Sequence, residues 1–193
     1  MTIPELKQDL VFTTNLRGHN LTFHSTWGLF SPKAIDEGTQ LLLDHLEIAP
    51  QASVLDLGCG YGPLGLAIAK LAPQGRVDMV DKDFVAIDYA NKNALLNHLP
   101  HATAYLSNGF AQVPAGRTYD VVVSNVPAKI GGELLNIFLA DAYDHLKPGG
   151  RLYVVTISGL KDYMKRHLND TFGNYDKLKQ SRTYTAAMAE KLS

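Results

Sequence analysis

Two hydrophobic periods take turns along most of this chain. Apolar-rich runs of strand length occur at Val54–Leu57, Arg76–Asp81, Ala102–Leu106, Asp120–Ser124 and Arg151–Thr156. Helically spaced apolar positions precede or separate them at Ala34–Leu46, Leu64–Leu71, Phe84–Leu99 and Glu133–Leu146. Such alternation predicts an α/β fold whose parallel sheet is covered by helices on both faces. Pro73 stops the second helix, and Lys147-Pro148-Gly149-Gly150 predicts a turn between the last helix and strand of the series. The ends depart from the pattern. Leu10–Phe12 and Leu21–Phe23 predict a small hairpin or flap within residues 1–30, ahead of one catalytic domain over 31–193. After a helix at Leu160–Phe172, Tyr175–Gln180 and Thr183–Ala189 read as strands joined by so short a turn that they must be antiparallel.

With 193 residues, 46% of them hydrophobic, the chain has enough apolar mass for one sizeable core and little for a second. No run approaches the ~20 apolar residues of a membrane span, and Glu5, Lys7 and Asp9 interrupt any signal-like start. A cytoplasmic location is expected. The single Cys59 forms no internal disulfide, which suits a reducing compartment, and no base is paired with it in sequence. The seven histidines, His19 and His24 among them, show no metal-ligand spacing, so no metal is expected.

The most informative stretch is Val54-Leu55-Asp56-Leu57-Gly58-Cys59-Gly60-Tyr61-Gly62-Pro63-Leu64-Gly65. Glycines at 58, 60 and 62 let a flat, adenosine-like ligand touch the backbone. Gly60 to Gly65 satisfies G-x-G-x-x-G, and Asp81 follows at the distance of a ribose-binding acid, so a nicotinamide enzyme is formally allowed. Pro63 weighs against it, because it removes an N–H where a pyrophosphate needs helix N-terminal donors. Asp56 and Asp81 have structural alternatives, as acids that cap the turn or helix following each strand.

These residues resemble known motifs. Asp56 to Gly62 is similar to the first motif of class I S-adenosylmethionine-dependent methyltransferases, and Asp81, followed by Lys82, resembles the acid that holds the ribose hydroxyls there. Ser107-Asn108-Gly109 falls where that family recognises the adenine edge. Ser124-Asn125-Val126-Pro127-Ala128 resembles the N-P-P-[FY] motif of amino-methylating members. Phe30-Ser31-Pro32-Lys33-Ala34-Ile35-Asp36-Glu37-Gly38-Thr39-Gln40-Leu41-Leu42 is similar to the F-S-x-x-x-[ILV]-D-x-G-[ST]-x-L-L segment of the methyltransferase small domain family, which includes guanine-N2 methyltransferases of small-subunit ribosomal RNA. The resemblance covers about residues 20–190. It implies a Rossmann-like, doubly wound seven-stranded sheet, mostly parallel with an antiparallel C-terminal hairpin. It also implies S-adenosylmethionine at Asp56, Gly58, Gly60, Gly62, Asp81, Lys82, Asn108, Gly109 and Asn125.

Methyl transfer to an exocyclic amine asks for acceptors that take up its hydrogens and free its lone pair. Asn125, the Val126 carbonyl and the stiffening Pro127 are the residues expected to do so, and Ser31 and Asp36 are expected to cap the helix near Ala34 or to contribute to the flap. The motif is broken twice, by Val126 for a proline and by Ala128 for the aromatic that stacks on a base, a contact worth ~1–3 kcal/mol. Trp27, Phe30 and Tyr184 are candidate replacements, Phe84 is a candidate neighbour of the adenine, and Lys129 is placed to meet a phosphate. A net charge of −1 excludes a uniformly basic nucleic-acid binder, yet residues 145–193 hold nine Lys+Arg against four Asp+Glu. Lys161, Lys165, Arg166, Lys177, Lys179 and Arg182 form either an RNA-facing edge or a solvated, lysine-guarded strand. Guanine N2 in ribosomal RNA is the leading acceptor. The alternatives are a protein amide, a small-molecule amine, or a non-catalytic adenosine-binding module.

Overall fold

The computed structural model describes residues 8–193. Strands β1 (Leu10–Leu16) and β2 (His19–Ser25) form a separate hairpin. Then follow α1 (Glu37–Leu43), β3 (Ser53–Leu57), α2 (Pro63–Leu71), β4 (Arg76–Asp81), α3 (Phe84–Leu96), β5 (Ala102–Leu106), β6 (Tyr119–Asn125), α4 (Gly132–His145), β7 (Leu146–Ile157), a 3-10 turn (Ser158–Leu160), α5 (Lys161–Phe172), β8 (Asp176–Gln180) and β9 (Tyr184–Glu190). The main sheet has seven strands in the order β5-β4-β3-β6-β7-β9-β8. Only β9 runs against its neighbours, antiparallel to both β7 and β8. From β3 the chain winds outward through β4 to β5, then returns to place β6 on the other side of β3. That reversal opens a crevice beyond the carboxyl ends of β3 and β6, where open α/β sheets bind ligands.

The apolar runs are continuous because both faces of each strand are covered. Val54, Val121, Val123, Tyr153 and Val155 pack into the core under α1, α2, α3 and the hairpin. Their neighbours Leu55, Val122, Leu152 and Val154 point to the opposite core, under α4 and α5. A two-residue period thus divides one apolar strand between two cores.

Local chemistry fixes the helix starts. The helix expected over Ala34–Leu46 is shorter, Glu37–Leu43, because the Asp36 carboxylate accepts the Gly38 and Thr39 N–H groups and caps it there. Ser31 does not cap it. Its hydroxyl donates to the Ala34 carbonyl, and its own backbone is left-handed (φ 47°). Pro63 opens α2 at a position that needs no N–H, and Asp83 caps α3 through the Val85 N–H.

The hairpin turns through Arg17 and Gly18, both at positive φ, the conformation a two-residue hairpin loop favours. Residues 1–7 of the expected flap lie outside the described residues. The outer edge of β2 is paired with side chains instead of a strand. Asn93 Oδ1 accepts the His24 N–H at 2.8 Å and Asn97 Oδ1 the Thr22 N–H at 2.9 Å, while each amide nitrogen donates back to the same residue's carbonyl at 2.8 Å. Asn93 on α3 and Asn97 at its C-terminal cap, one helical turn apart, therefore imitate a neighbouring strand and tie the hairpin to the body of the protein. Arg17 adds a second tie through the Leu43 and Leu46 carbonyls at the end of α1.

The Lys147–Gly150 turn is corrected as well. This segment belongs to the start of β7, which follows α4 directly, because Gly149 donates to the Lys191 carbonyl at 2.6 Å and Lys191 returns a bond to Gly150 at 2.9 Å. The C-terminal chain supplies partners that local sequence does not reveal.

Candidate active site

A cavity of about 580 Å³ occupies the crevice beyond β3, β4 and β6. Its floor is the glycine turn after β3. Gly58 and Gly60 both have positive φ, and a Cβ on either would meet nothing, so the backbone itself forms the open wall. The Gly58 and Cys59 N–H groups donate to the Val80 carbonyl at 2.8 and 3.0 Å, stapling the turn to β4. Gly65 has a different reason to be glycine: a Cβ there would lie 2.7 Å from the Met79 side chain and 2.9 Å from Asp56 Oδ2. The last glycine of G-x-G-x-x-G serves helix-to-strand packing and does not line the cavity.

Asp81 ends β4 half-buried on the cavity wall. Its Oδ2 accepts the Gly60 N–H at 2.9 Å and its Oδ1 the Asp83 N–H at 3.0 Å, so one carboxylate sets the geometry of two loops and keeps lone pairs toward the cavity. Lys82 is exposed at the rim. Across from it, Ser107 donates to the Gly109 carbonyl at 2.7 Å, and Gln112 accepts the Asn108 N–H at 2.9 Å; this tight turn presents Asn108 and Gly109 to the cavity.

Asp56 is buried beneath the turn, where its Oδ2 accepts the Gly65 N–H at 2.8 Å. Capping α2 is therefore one role of this residue, alongside lining the cavity. Burial pushes its carboxyl up to about 7, against the pull of the Gly65 N–H and with help from the Asp81 charge. Folded Asp56 thus holds a proton that the unfolded chain loses near 3.8, so its stabilising contribution is complete below that pH and fades as pH rises through about 7. Asp56→Asn keeps an oxygen for Gly65 but cannot ionise. Thermal unfolding is expected to give equal midpoints near pH 4 and a higher midpoint for the variant near pH 8, at about those values. A difference independent of pH contradicts this.

The opposite end of the cavity is built on the end of β6. Asn125 is the last residue of the strand, not a loop residue, and Val126 donates to the Val155 carbonyl at 2.9 Å. Asn125 Nδ2 donates to Asp36 Oδ2 at 2.9 Å and to Thr39 Oγ1 at 3.0 Å. With both amide hydrogens engaged, the side-chain oxygen is the end left to the cavity. Pro127 and Ala128 follow on the wall, and the Pro127 carbonyl accepts the Ile130 N–H at 3.1 Å.

Among the aromatic candidates, Phe30 and Tyr184 line this end. Trp27 does not; its ring lies under the Lys33 ammonium, 4.5 Å away. Phe30 is 66% exposed, and its loop is held by the buried Tyr61, whose hydroxyl donates to the Ser31 carbonyl at 2.9 Å. Tyr184 donates to Asp36 at 2.8 Å, and burial, with Asp36 beside it, pushes its hydroxyl up to about 12, so it remains a donor at neutral pH. Ser31 and Lys129 are absent from the lining, and Lys129 is fully outside on the exposed loop. Phe84 is 68% exposed and also stands off the cavity. Thr39, Leu134, Phe138 and Ile157 are lining residues that sequence reading did not single out. Thr39 alone had a signal, as the [ST] of the D-x-G-[ST] segment.

With Asp56 buried and holding its proton up to about pH 7, the charged groups on the lining are Asp81 and Asp83 against Lys82. An electronegative cavity with Pro63 at the helix N-terminus repels a polyphosphate and suits a neutral or cationic nucleoside. Burial pushes the Cys59 thiol up, which leaves it a protonated wall residue. Among the described residues no cluster of three or more His, Cys, Asp or Glu is placed to hold a metal ion, and no helix is long and apolar enough to cross a membrane.

Comparison with known proteins adds independent findings. The ribosomal RNA small subunit methyltransferase C of Vibrio cholerae is 33% identical over 184 residues, 93% of this chain and 52% of that protein. YbxB of Bacillus subtilis is 33% identical over 141 residues, 72% of this chain and 70% of that protein. Among solved structures, the 16S rRNA N2 G1207 methyltransferase (RsmC) of T. thermophilus, in complex with AdoMet and guanosine, superposes with a TM-score of 0.86 at 30% identity, over 95% of this chain and 50% of that one. The chain spans about half the length of the methyltransferase C relatives it matches. The antiparallel β9, the glycine turn and Asp81 at the switch point, and a match of residues 20–187 to the family model agree: the chain belongs to the methyltransferase small domain family.

Proposed function

We propose that this protein transfers a methyl group from S-adenosylmethionine to an exocyclic amine, with guanine N2 of small-subunit ribosomal RNA as the acceptor. The observation that carries this reading is the placement of Asn125 in the same electronegative cavity as the glycine turn and Asp81, with its amide hydrogens turned away and its oxygen toward the open space. The relatives' names point to the same acceptor class.

When bound, S-adenosylmethionine supplies a methyl group on a sulfonium centre. The residues fit such a group: Asp81 would hold the ribose hydroxyls, the turn at Asn108 and Gly109 the adenine edge, and the Gly58 and Gly60 backbone leaves room for the nucleoside. The Asp81 and Asp83 carboxylates around the cavity favour a cationic ligand over a phosphorylated one. On the acceptor side, Asn125 Oδ1 and the Val126 carbonyl take the two amine hydrogens. This draws the nitrogen out of conjugation and directs its lone pair into the cavity, and after transfer the extra proton leaves through the same pair to water. Positioning and exclusion of water do the work, so no strong base is required.

Phe30 stands in for the aromatic absent at 128. Because it is already exposed, Phe30→Ala is expected to leave folding unchanged and to raise KM for RNA roughly 5- to 100-fold, from ~1–3 kcal/mol per stacked base; an unchanged KM excludes stacking there. Lys165, Arg166, Lys177, Lys179 and Arg182 are exposed along α5, β8 and the turn into β9, whose first residue lines the cavity. They give RNA a basic approach to the acceptor end.

The test is transfer of label from S-adenosylmethionine to an unmodified small-subunit ribosomal RNA transcript, followed by nuclease digestion. Label on guanine N2 supports the reading. Label from a whole-cell extract that enters only protein or small molecules overturns the RNA acceptor, and cofactor binding with no transfer at all favours a binding module.

A further inference from the structure

Four donors converge on one carboxylate at the acceptor end of the cavity. Asp36 Oδ2 accepts the Gly38 N–H at 2.9 Å, the Thr39 N–H at 3.2 Å and Asn125 Nδ2 at 2.9 Å, and Asp36 Oδ1 accepts the Tyr184 hydroxyl at 2.8 Å. The cluster joins the start of α1, the end of β6 and the start of β9. Two of these bonds cap a helix. The bonds from Asn125 and Tyr184, 89 and 148 residues away, do nothing for the cap.

The backbone is shaped to admit the cluster. A Cβ on Gly38 would lie 2.8 Å from Asp36 Oδ2 and 2.8 Å from Tyr184 Cδ1. Glycine at 38 is thus a condition for Asp36 and Tyr184 to meet. The buried Thr39 completes the arrangement by accepting the second Asn125 hydrogen. The segment Ile35-Asp36-Glu37-Gly38-Thr39 has a physical logic when read around Asn125: an acceptor, a gap and a second acceptor.

A carboxamide has nearly the same shape either way round, so its orientation is set by its partners. A carboxylate can only accept. Reversing the Asn125 amide would place its oxygen against Asp36 Oδ2 with no hydrogen between them, and would present an N–H donor to an amine that needs an acceptor. We infer that Asp36, anchored by Tyr184, is the positioning residue that fixes the polarity of the Asn125 amide, oxygen toward the methyl acceptor. The carboxylate behind the N–H also polarises the amide and strengthens its oxygen as an acceptor. The inference rests on the reading of Asn125 as the group that takes amine hydrogens.

Asp36→Ser separates positioning from capping, since serine caps a helix as well as aspartate does but is too short to serve Asn125 and Tyr184 together. Asp36→Asn keeps an acceptor oxygen and is the conservative rescue. Two readouts apply. In the folded protein, the Asn125 side-chain NH2 signals, identified by their loss in Asn125→Ala, are expected to move to free-amide positions in Asp36→Ser and to stay near wild type in Asp36→Asn. For methyl transfer to the ribosomal RNA transcript, Asp36→Ser is expected to lower kcat roughly 10- to 100-fold, the range of a lost charge-assisted hydrogen bond. The thermal midpoint and S-adenosylhomocysteine affinity stay near wild type, Asp36→Asn recovers most of the rate, and Asp36→Ser has no further effect in an Asn125→Ala background. Unmoved Asn125 signals, or an equal loss of rate in that background, overturn the inference. If the signals respond while the wild type transfers nothing to RNA, the positioning role stands and the RNA acceptor falls.

Discussion

Asn125→Ala is expected to lower kcat roughly 10²- to 10³-fold, the loss typical of removing one preorganised polar group aimed at the reacting atom. Affinity for S-adenosylhomocysteine should hold within about threefold, because this substitution touches neither the glycine turn nor Asp81. The fold should also survive. Asn125 is half-buried, and its charged partner keeps other donors: Asp36 retains Gly38, Thr39 and Tyr184. The expected signature is therefore a fall in kcat and kcat/KM together at saturating cofactor, measured beside calorimetric binding of S-adenosylhomocysteine. A variant that loses cofactor binding in proportion to its activity would place Asn125 in the cofactor cradle alone.

Asp81→Ala is expected to give the opposite pattern. Two loops converge on this carboxylate, through Gly60 at 2.9 Å and Asp83 at 3.0 Å, and its free lone pairs face the cavity. Alanine removes the expected ribose acceptor and the Gly60 tie at the same time, while the Gly58 and Cys59 bonds to the Val80 carbonyl still hold the turn to β4. With charge-assisted hydrogen bonds at ~1.5–3 kcal/mol each, Kd for S-adenosylhomocysteine should rise roughly 10²- to 10³-fold. At saturating S-adenosylmethionine, kcat should recover to within several-fold of wild type, about the limit expected when the reacting groups themselves are intact. Asp81→Asn, which keeps one acceptor oxygen, should fall between. Unchanged affinity in Asp81→Ala would mean that the nucleoside lies elsewhere.

These predictions rest on residues that were legible in sequence for local reasons. A glycine turn must follow a strand directly, an acid that grips a ribose must end the next strand, and both are written in consecutive residues. The parallel part of the sheet was legible because strand and helix patterns alternate, and the antiparallel pair at its end because the turn between those strands is so short; the count of seven strands came from the family resemblance. What stayed hidden was whatever depends on distant partners. Asp36 was visible as a helix cap, but its bonds to Asn125 and Tyr184 cross 89 and 148 residues. Asn93 and Asn97 looked like ordinary polar helix positions, and only the folded chain reveals that they pair with the edge of β2. Lys147–Gly150 has the composition of a turn, yet the C-terminal segment at Lys191 gives it strand partners. Gly65 read as part of a ligand fingerprint, when Met79 and Asp56 behind it are the reason for its missing side chain.

Electrostatics separates the cavity from a dinucleotide site more firmly than the motif did. G-x-G-x-x-G is compatible with either ligand. Two carboxylates, Asp81 and Asp83, against one ammonium around the opening, with a proline where a phosphate needs a donor, are compatible with a sulfonium nucleoside and hostile to a pyrophosphate.

The central claim is that one cavity brings a nucleoside's ribose to Asp81 and its reactive end to the Asn125 oxygen. A crystal structure of the protein with S-adenosylhomocysteine bound measures this most directly. The account predicts the ribose hydroxyls on the Asp81 carboxylate, the adenine beside Asn108 and Gly109, and the sulfur facing Asn125 Oδ1, with Nδ2 still on Asp36 and Thr39. A nucleoside seated outside this crevice, or an Asn125 amide whose nitrogen faces the sulfur, would contradict it.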